Sequence, residues 1–141
     1  MIVDLASALT NTKALVAQEK LSDRISIRPG NLLDGDWGAS YDVVFYLSVA
    51  HNQTADDNRR VIRHIAEALN PGGLLLIHEY LAESPPLPFH AAFQLTLLVE
   101  TSTRIYSFSE ISTWLEEAGF SSSSRIDLNP REKGTLIVAR R

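Results

Sequence analysis

The 141-residue chain contains no cysteine. Disulfides, cysteine-ligated zinc and a thiol nucleophile are therefore excluded. It also lacks an excess of positive charge. Thirteen Lys and Arg stand against seventeen Asp and Glu, for a formal net charge of −4, and the basic residues are dispersed apart from pairs such as Arg59-Arg60. A nucleic-acid binder would normally carry a basic face. No apolar run approaches the ~20 residues that span a bilayer, and no basic-then-apolar leader opens the chain. The four histidines do not show a compact metal-ligand spacing. The expectation is a globular protein without a metal, nucleic acid or membrane as partner, in a reducing and hence cytoplasmic setting. What is present fits that class: 45% hydrophobic and 21% charged residues, at a length suited to one domain with a real core.

The first half alternates strand and helix signals. Ile2, Val3 and Asp4 read as a strand remnant, and Ala8, Leu9, Ala14, Leu15 and Ala17 as a helix ending near Lys20. Residues 25–27 alternate as a short strand stopped by Pro29-Gly30. Residues 43–47 form a continuous apolar run, the pattern of a parallel strand covered on both faces. Thr54 can cap a helix whose Val61, Ile62, Ile65, Ala66 and Leu69 share a face. Asn70-Pro71-Gly72-Gly73 stops that helix, and residues 74–77 form the next buried strand, running into His78-Glu79. Gly72-Gly73 follows a helix and does not open one, so it reads as a helix stop and not a phosphate cradle.

The second half differs. Residues 83–88 are a proline-rich connector that cannot be helical. The stretch 89–99 is a helix apolar nearly all round, which must be covered by the domain or a partner. Ser107 and Glu110 form a capping box opening a helix over 111–118, closed by Gly119. Residues 125–128 and 135–139 read as two strands joined by residues 129–134, which makes the last strand antiparallel to its neighbour. The expected fold class is α/β: a Rossmann-like, doubly wound, mostly parallel sheet with an antiparallel last strand.

The order of these signals resembles a class I S-adenosylmethionine-dependent methyltransferase of the O-methyltransferase type. The matching residues are Val3-Asp4-Leu5, Pro29-Gly30-Asn31-Leu32, Tyr41-Asp42-Val43-Val44, Ala50-His51-Asn52, Leu69 to Gly73, Ile77-His78-Glu79 and Trp114 to Phe120. No one motif is specific, but seven in the correct order are together a fairly strong signal. The chain departs from the family pattern twice. The glycine-rich first turn is absent, and Asn31 stands where the family has Asp. The resemblance therefore implies residues 1–141 as a single catalytic domain lacking its first βα unit. It further implies that Ile2 to Asp4 pairs directly with residues 43–47 or that a partner fills the gap, and that S-adenosyl-L-methionine binds weakly to this chain.

The resemblance also assigns roles. Asp4 would take the ribose hydroxyls at a strand's carboxyl end, against the plainer reading of a helix N-cap. Asn31 would face the adenine edge, against a simple turn residue. Leu5, Leu32 and Ser48 complete the implied cofactor contacts. His51 would be the base that takes the proton of a hydroxyl acceptor, with Glu79 fixing its tautomer. A phenol's pKa near 10 leaves little phenolate at neutral pH, and a neutral imidazole is a suitable base. The plain alternatives are a polar loop residue for His51 and a strand-end carboxylate for Glu79. His64 reads as solvated. His78 points away from Glu79, and His90 lines a pocket or an interface.

The expected function is methyl transfer to a hydroxyl of a small-molecule acceptor, with a homodimer through the 89–99 helix left open. Two rivals remain on sequence alone: a nicotinamide-dependent oxidoreductase, which also places an acid after its second strand, and a non-catalytic remnant or dimerisation module.

Overall fold

A computed structural model describes residues 1–82, 88–128 and 134–141. The chain divides into two compact units, Met1–Gly38 and Ala39–Arg141.

In the first unit, strand β1 (Ile2–Asp4) leads through helix α1 (Leu9–Gln18) to strand β2 (Ile27–Pro29). The strands pair in parallel, Ile2 opposite Ile27 and Asp4 opposite Pro29. A parallel pair needs such a crossover, and α1 buries Leu9 and Val16, two turns apart, to provide it. The second strand begins two residues later than its alternation suggests. The Ile25 N–H donates to the Leu21 carbonyl at 2.8 Å, so Ile25 closes a turn instead of entering the ladder. Pro29 is tolerated in the strand because β2 pairs with β1 alone.

The second unit holds strand β3 (Tyr41–Leu47), helix α2 (Ala55–Ala68), strand β4 (Leu69–Glu79), helices α3 (Pro88–Thr101) and α4 (Phe108–Glu117), and strands β5 (Ser122–Asp127) and β6 (Thr135–Arg140). The sheet order is β3-β4-β6-β5. β3 and β4 are parallel, whereas β6 runs antiparallel to both its neighbours. The α/β class and the antiparallel last strand are as expected. The core is built on Leu75, Ile77 and Ile137 of the sheet, Val61, Ile62 and Ile65 of α2, and Ile111, Trp114 and Leu115 of α4, all nearly inaccessible. The caps read from sequence are present. The Thr54 side chain accepts from the Asp57 N–H, and Ser107 and Glu110 close a reciprocal capping box.

Several expectations are corrected. β1 pairs with β2 and β3 with β4, so the expected ladder between residues 2–4 and 43–47 is not among the pairings of the described residues. β4 starts at Leu69 and not at Leu74. Tyr41 pairs with Leu69 across a register shift, so the Pro-Gly-Gly segment that ends α2 is already within the strand. β3 is not covered on both faces, since Val43, Phe45 and Leu47 are exposed on one of them. Pro88 is helical, at the first position of α3, where its missing N–H has no helical partner to lose. Helix α3 buries only His90 and Leu97 and exposes Leu95, Leu98 and Val99. The rest of the 83–88 connector, and residues 129–133 of the β5–β6 connection, lie outside the described residues. Among the described residues no helix is long and apolar enough to cross a membrane.

Candidate active site

Glu79 is the last residue of β4, and His51 lies in a 3₁₀ turn, Ala50–Asn52, just beyond the end of β3. Two adjacent parallel strands thus deliver both residues to the carboxyl edge of one sheet, where open α/β sheets bind ligands. Both side chains are buried, and His51 Nδ1 lies 2.7 Å from Glu79 Oε2. The other carboxylate oxygen accepts the Ala50 N–H, also at 2.7 Å. With the imidazole neutral and the carboxylate accepting, the shared proton sits on Nδ1 and Nε2 keeps a lone pair. That is the arrangement a general base needs.

The turn bearing His51 is held from several sides. Asn58 of α2, fully buried, donates to the Ala50 carbonyl at 2.9 Å and to that of Thr54 at 3.1 Å. It accepts in return from the Tyr46 hydroxyl at 2.9 Å. Burial, reinforced by the Glu79 charge, drives the Tyr46 phenol far above its ordinary range, so it remains a donor. Thr103, beyond α3, donates to the His51 carbonyl at 2.7 Å, and the Tyr106 hydroxyl to that of Gln53 at 2.7 Å. Sequence reasoning missed Asn58 and Thr103. Asn58 carried a signal, a polar residue in register with Val61, Ile62 and Ile65 on an otherwise apolar stripe. Thr103 carried none.

An aromatic wall adjoins the imidazole. Phe93 of α3 meets His51 edge-on at 5.1 Å, stacks on Phe89 at 6.0 Å and contacts Tyr80 at 5.5 Å. His90, next to Tyr80 and Phe89, is buried with both ring nitrogens unpartnered among the described residues. A cavity of about 460 Å³ runs along the other side of α3, lined by Ala82, His90, Gln94, Leu95, Leu98 and Ile105. It does not include His51 or Glu79. His64 is half-buried instead of solvated. His78 alternates away from Glu79 as expected. Its Nδ1 lies 3.1 Å from Ser48 Oγ, and a Cβ placed on Gly134 would stand 2.3 Å from its Nε2. Ser48 itself adopts a left-handed backbone, φ 55°, where β3 ends.

The remaining sequence candidates lie in the first unit. Asp4 ends β1, where its Oδ1 accepts the Leu5 N–H at 2.7 Å. Asn31 follows β2 and caps a 3₁₀ turn (Leu32–Asp34), its Oδ1 accepting the Leu33 N–H at 3.0 Å. The Gly30 N–H donates to the Asp4 carbonyl at 3.0 Å, so Asp4 and Asn31 stand at neighbouring strand ends. Both local hydrogen bonds are those of ordinary turn residues. The exposed carboxylate and amide are also the donor and acceptor types that a nucleoside's hydroxyls and base edge require.

Residues 1–121 match the O-methyltransferase domain family. Among curated relatives, a 3-hydroxy-5-methyl-1-naphthoate 3-O-methyltransferase of Streptomyces sahachiroi is 27% identical over 85% of this chain and 35% of its own length. An L-tyrosine C(3)-methyltransferase of Streptomyces lavendulae is 25% identical over 98% and 39%. A solved O-methyltransferase family 2 protein of Planctomyces limnophilus, in complex with apigenin, superposes with a TM-score of 0.87 at 26% identity, over 99% of this chain and 42% of that one. The chain thus spans well under half the length of the relatives it matches.

Proposed function

The chain belongs to the O-methyltransferase domain family, and on that premise we propose that it carries the base half of a methyl-transfer site acting on a hydroxyl of a small aromatic molecule. The observation that carries this reading is the buried His51–Glu79 pair, with Nδ1 2.7 Å from Oε2; a neutral imidazole beside an ionised carboxylate keeps its proton on Nδ1 and leaves Nε2 as the acceptor. S-adenosylmethionine supplies an electrophilic methyl group in this family. Asp4 and Asn31 are the residues of this chain suited to hold its adenosine, with Leu5 and Leu32 next to them in sequence and Ser48 as a further candidate contact. The test of fit is the chemistry of that donor set. A strand-end carboxylate can accept both ribose hydroxyls, and the Asn31 amide can donate to an adenine ring nitrogen.

His51 Nε2 takes the acceptor's proton as the methyl arrives, and Glu79 stabilises the imidazolium that results. Phe93, against the imidazole, offers an aromatic edge on which a phenolic ring can pack. Deprotonating a phenol activates its oxygen and its ortho carbon together. The same pair of residues therefore suits an oxygen acceptor and also the ring-carbon outcome named for the tyrosine-methylating relative. A second proposal, a homodimer through α3, is favoured by the exposure of Leu95, Leu98 and Val99. The cytoplasm is the compartment we assign to the reaction.

The test is methyl transfer to a phenolic acceptor by the chain expressed with any in-frame coding sequence that precedes it. His51→Ala should lower the rate by ~10²-fold or more, with cofactor affinity nearly unchanged. Raising the pH should restore part of the loss, because more acceptor is then already ionised. Full activity of His51→Ala at neutral pH would overturn the assignment.

A further inference from the structure

Helix α3 ends in an unusual exit. Ser102 takes up a left-handed backbone, φ 55°, a conformation that non-glycine residues rarely adopt. The reversal brings Thr103 back beside Thr101, with the two hydroxyl oxygens 2.5 Å apart. Thr103 is buried, and its hydroxyl is aimed across the fold at the His51 carbonyl, 2.7 Å away.

Thr101 donates its hydroxyl proton to the Leu97 carbonyl at 2.8 Å, within α3, and Thr103 donates its own to the His51 carbonyl. A hydroxyl serving only as a helix stop would bond α3's own carbonyls. That of Thr103 crosses to a residue 52 positions earlier.

We infer that Thr103 is a positioning residue that fixes the His51 turn against Glu79 and ties the setting of the base to the seating of α3. The inference rests on reading His51 as the base. α3 and the turn that leaves it then grip His51 twice, at its ring through Phe93 and at its carbonyl through Thr103. Ala50 and His51 each bond one oxygen of the same carboxylate, so a small rotation of the turn loosens both contacts together.

The test is nitrogen-15 NMR of the histidine rings in the 141-residue chain, with the His51 signals identified by their loss in His51→Ala. The wild type should show the Nδ1–H tautomer at His51, with slow exchange of that proton. Thr103→Val should mix the tautomers and speed the exchange roughly three- to tenfold, and Thr103→Ser should restore both. A folded Thr103→Val with the wild-type tautomer and exchange rate overturns the inference and leaves the base reading intact. A wild type lacking the Nδ1–H tautomer overturns the base reading, and the inference with it. Should Thr103→Val not fold, Thr103→Ala decides. A few-fold faster exchange supports the inference, and an unchanged rate overturns it.

Discussion

The turn at His51 and helix α3 are close neighbours built on opposite terms. At the turn, hydrogen bonds come from Glu79, Asn58, Thr103 and Tyr106, and the groups involved are largely buried. α3 touches the turn through Phe93 yet turns Leu95, Leu98 and Val99 outward, with exposures of 63%, 60% and 76%. Burial of charge is tolerated only with full pairing, so the turn has little freedom to vary. An exposed apolar face carries no such constraint within the chain. The difference separates residues whose cost of change is set inside this fold from those whose cost depends on what lies against them.

The sharpest way to break that comparison is Glu79→Gln. The Ala50 N–H holds the side-chain oxygen, so the amide nitrogen must face His51 and donate to Nδ1. The imidazole proton then moves to Nε2, the position that has to accept. Methyl transfer should fall by ~10²–10⁴-fold, close to the effect of His51→Ala and with little loss of folding, as rate assays and melting curves of the two variants would show. A Glu79→Gln enzyme near wild-type rate would mean that the carboxylate does not set the tautomer.

Next in size is Asn58→Ala, which orphans the Tyr46 hydroxyl and removes the donor to the Ala50 carbonyl. At ~1–3 kcal/mol for each buried group left unpaired, denaturant unfolding should show a loss of about 2–4 kcal/mol.

A smaller effect belongs to α4. Glu110 accepts two hydrogen bonds from Arg104, at 2.5 and 3.3 Å, and one from the Ser107 N–H at 2.9 Å. The Arg104 contact, chief among them, holds its carboxyl down at about 2. A depressed acid contributes stability above its unfolded pKa of ~4.3 and loses it as pH falls towards 2. Melting temperature should therefore drop through that acid window in the wild type, and less so in Glu110→Gln. The pair is half in solvent, so the difference should be modest and salt-sensitive.

The smallest effect is expected on α3. Leu98→Ser with Val99→Ser should change stability in dilute solution by no more than ~0.5 kcal/mol. A larger loss would show that α3 is covered within the chain and erase the contrast.

The legible parts of this molecule were those where pattern and local chemistry coincide. Thr54, Ser107 with Glu110, and Gly119 mark helix ends through hydrogen bonds to nearby backbone, and each stands where its residue type indicated. The pairing of His51 with Glu79 was legible because both follow apolar runs of adjacent strands. Ladder choice was not. Ile25 lost its place to a turn bond with Leu21, and Leu69 gained one through a bulge opposite Tyr41. Such outcomes depend on partners distant in sequence. Apolarity also misled at β3 and α3, since it states that a face would gain from cover without stating that the cover is in the chain.

Gly134, His78 and Ser48 come from three separate stretches of the sequence and share one small space. Any side chain at position 134 would meet the His78 ring, and a displaced ring would give up Ser48 Oγ, which faces its Nδ1. A side chain at 134 is thus accommodated only when the His78 ring moves or is replaced by something smaller. Across the chain's descendants these positions should vary as a set, a bulkier residue at 134 appearing with a smaller one at 78 and a different polar partner, or none, at 48.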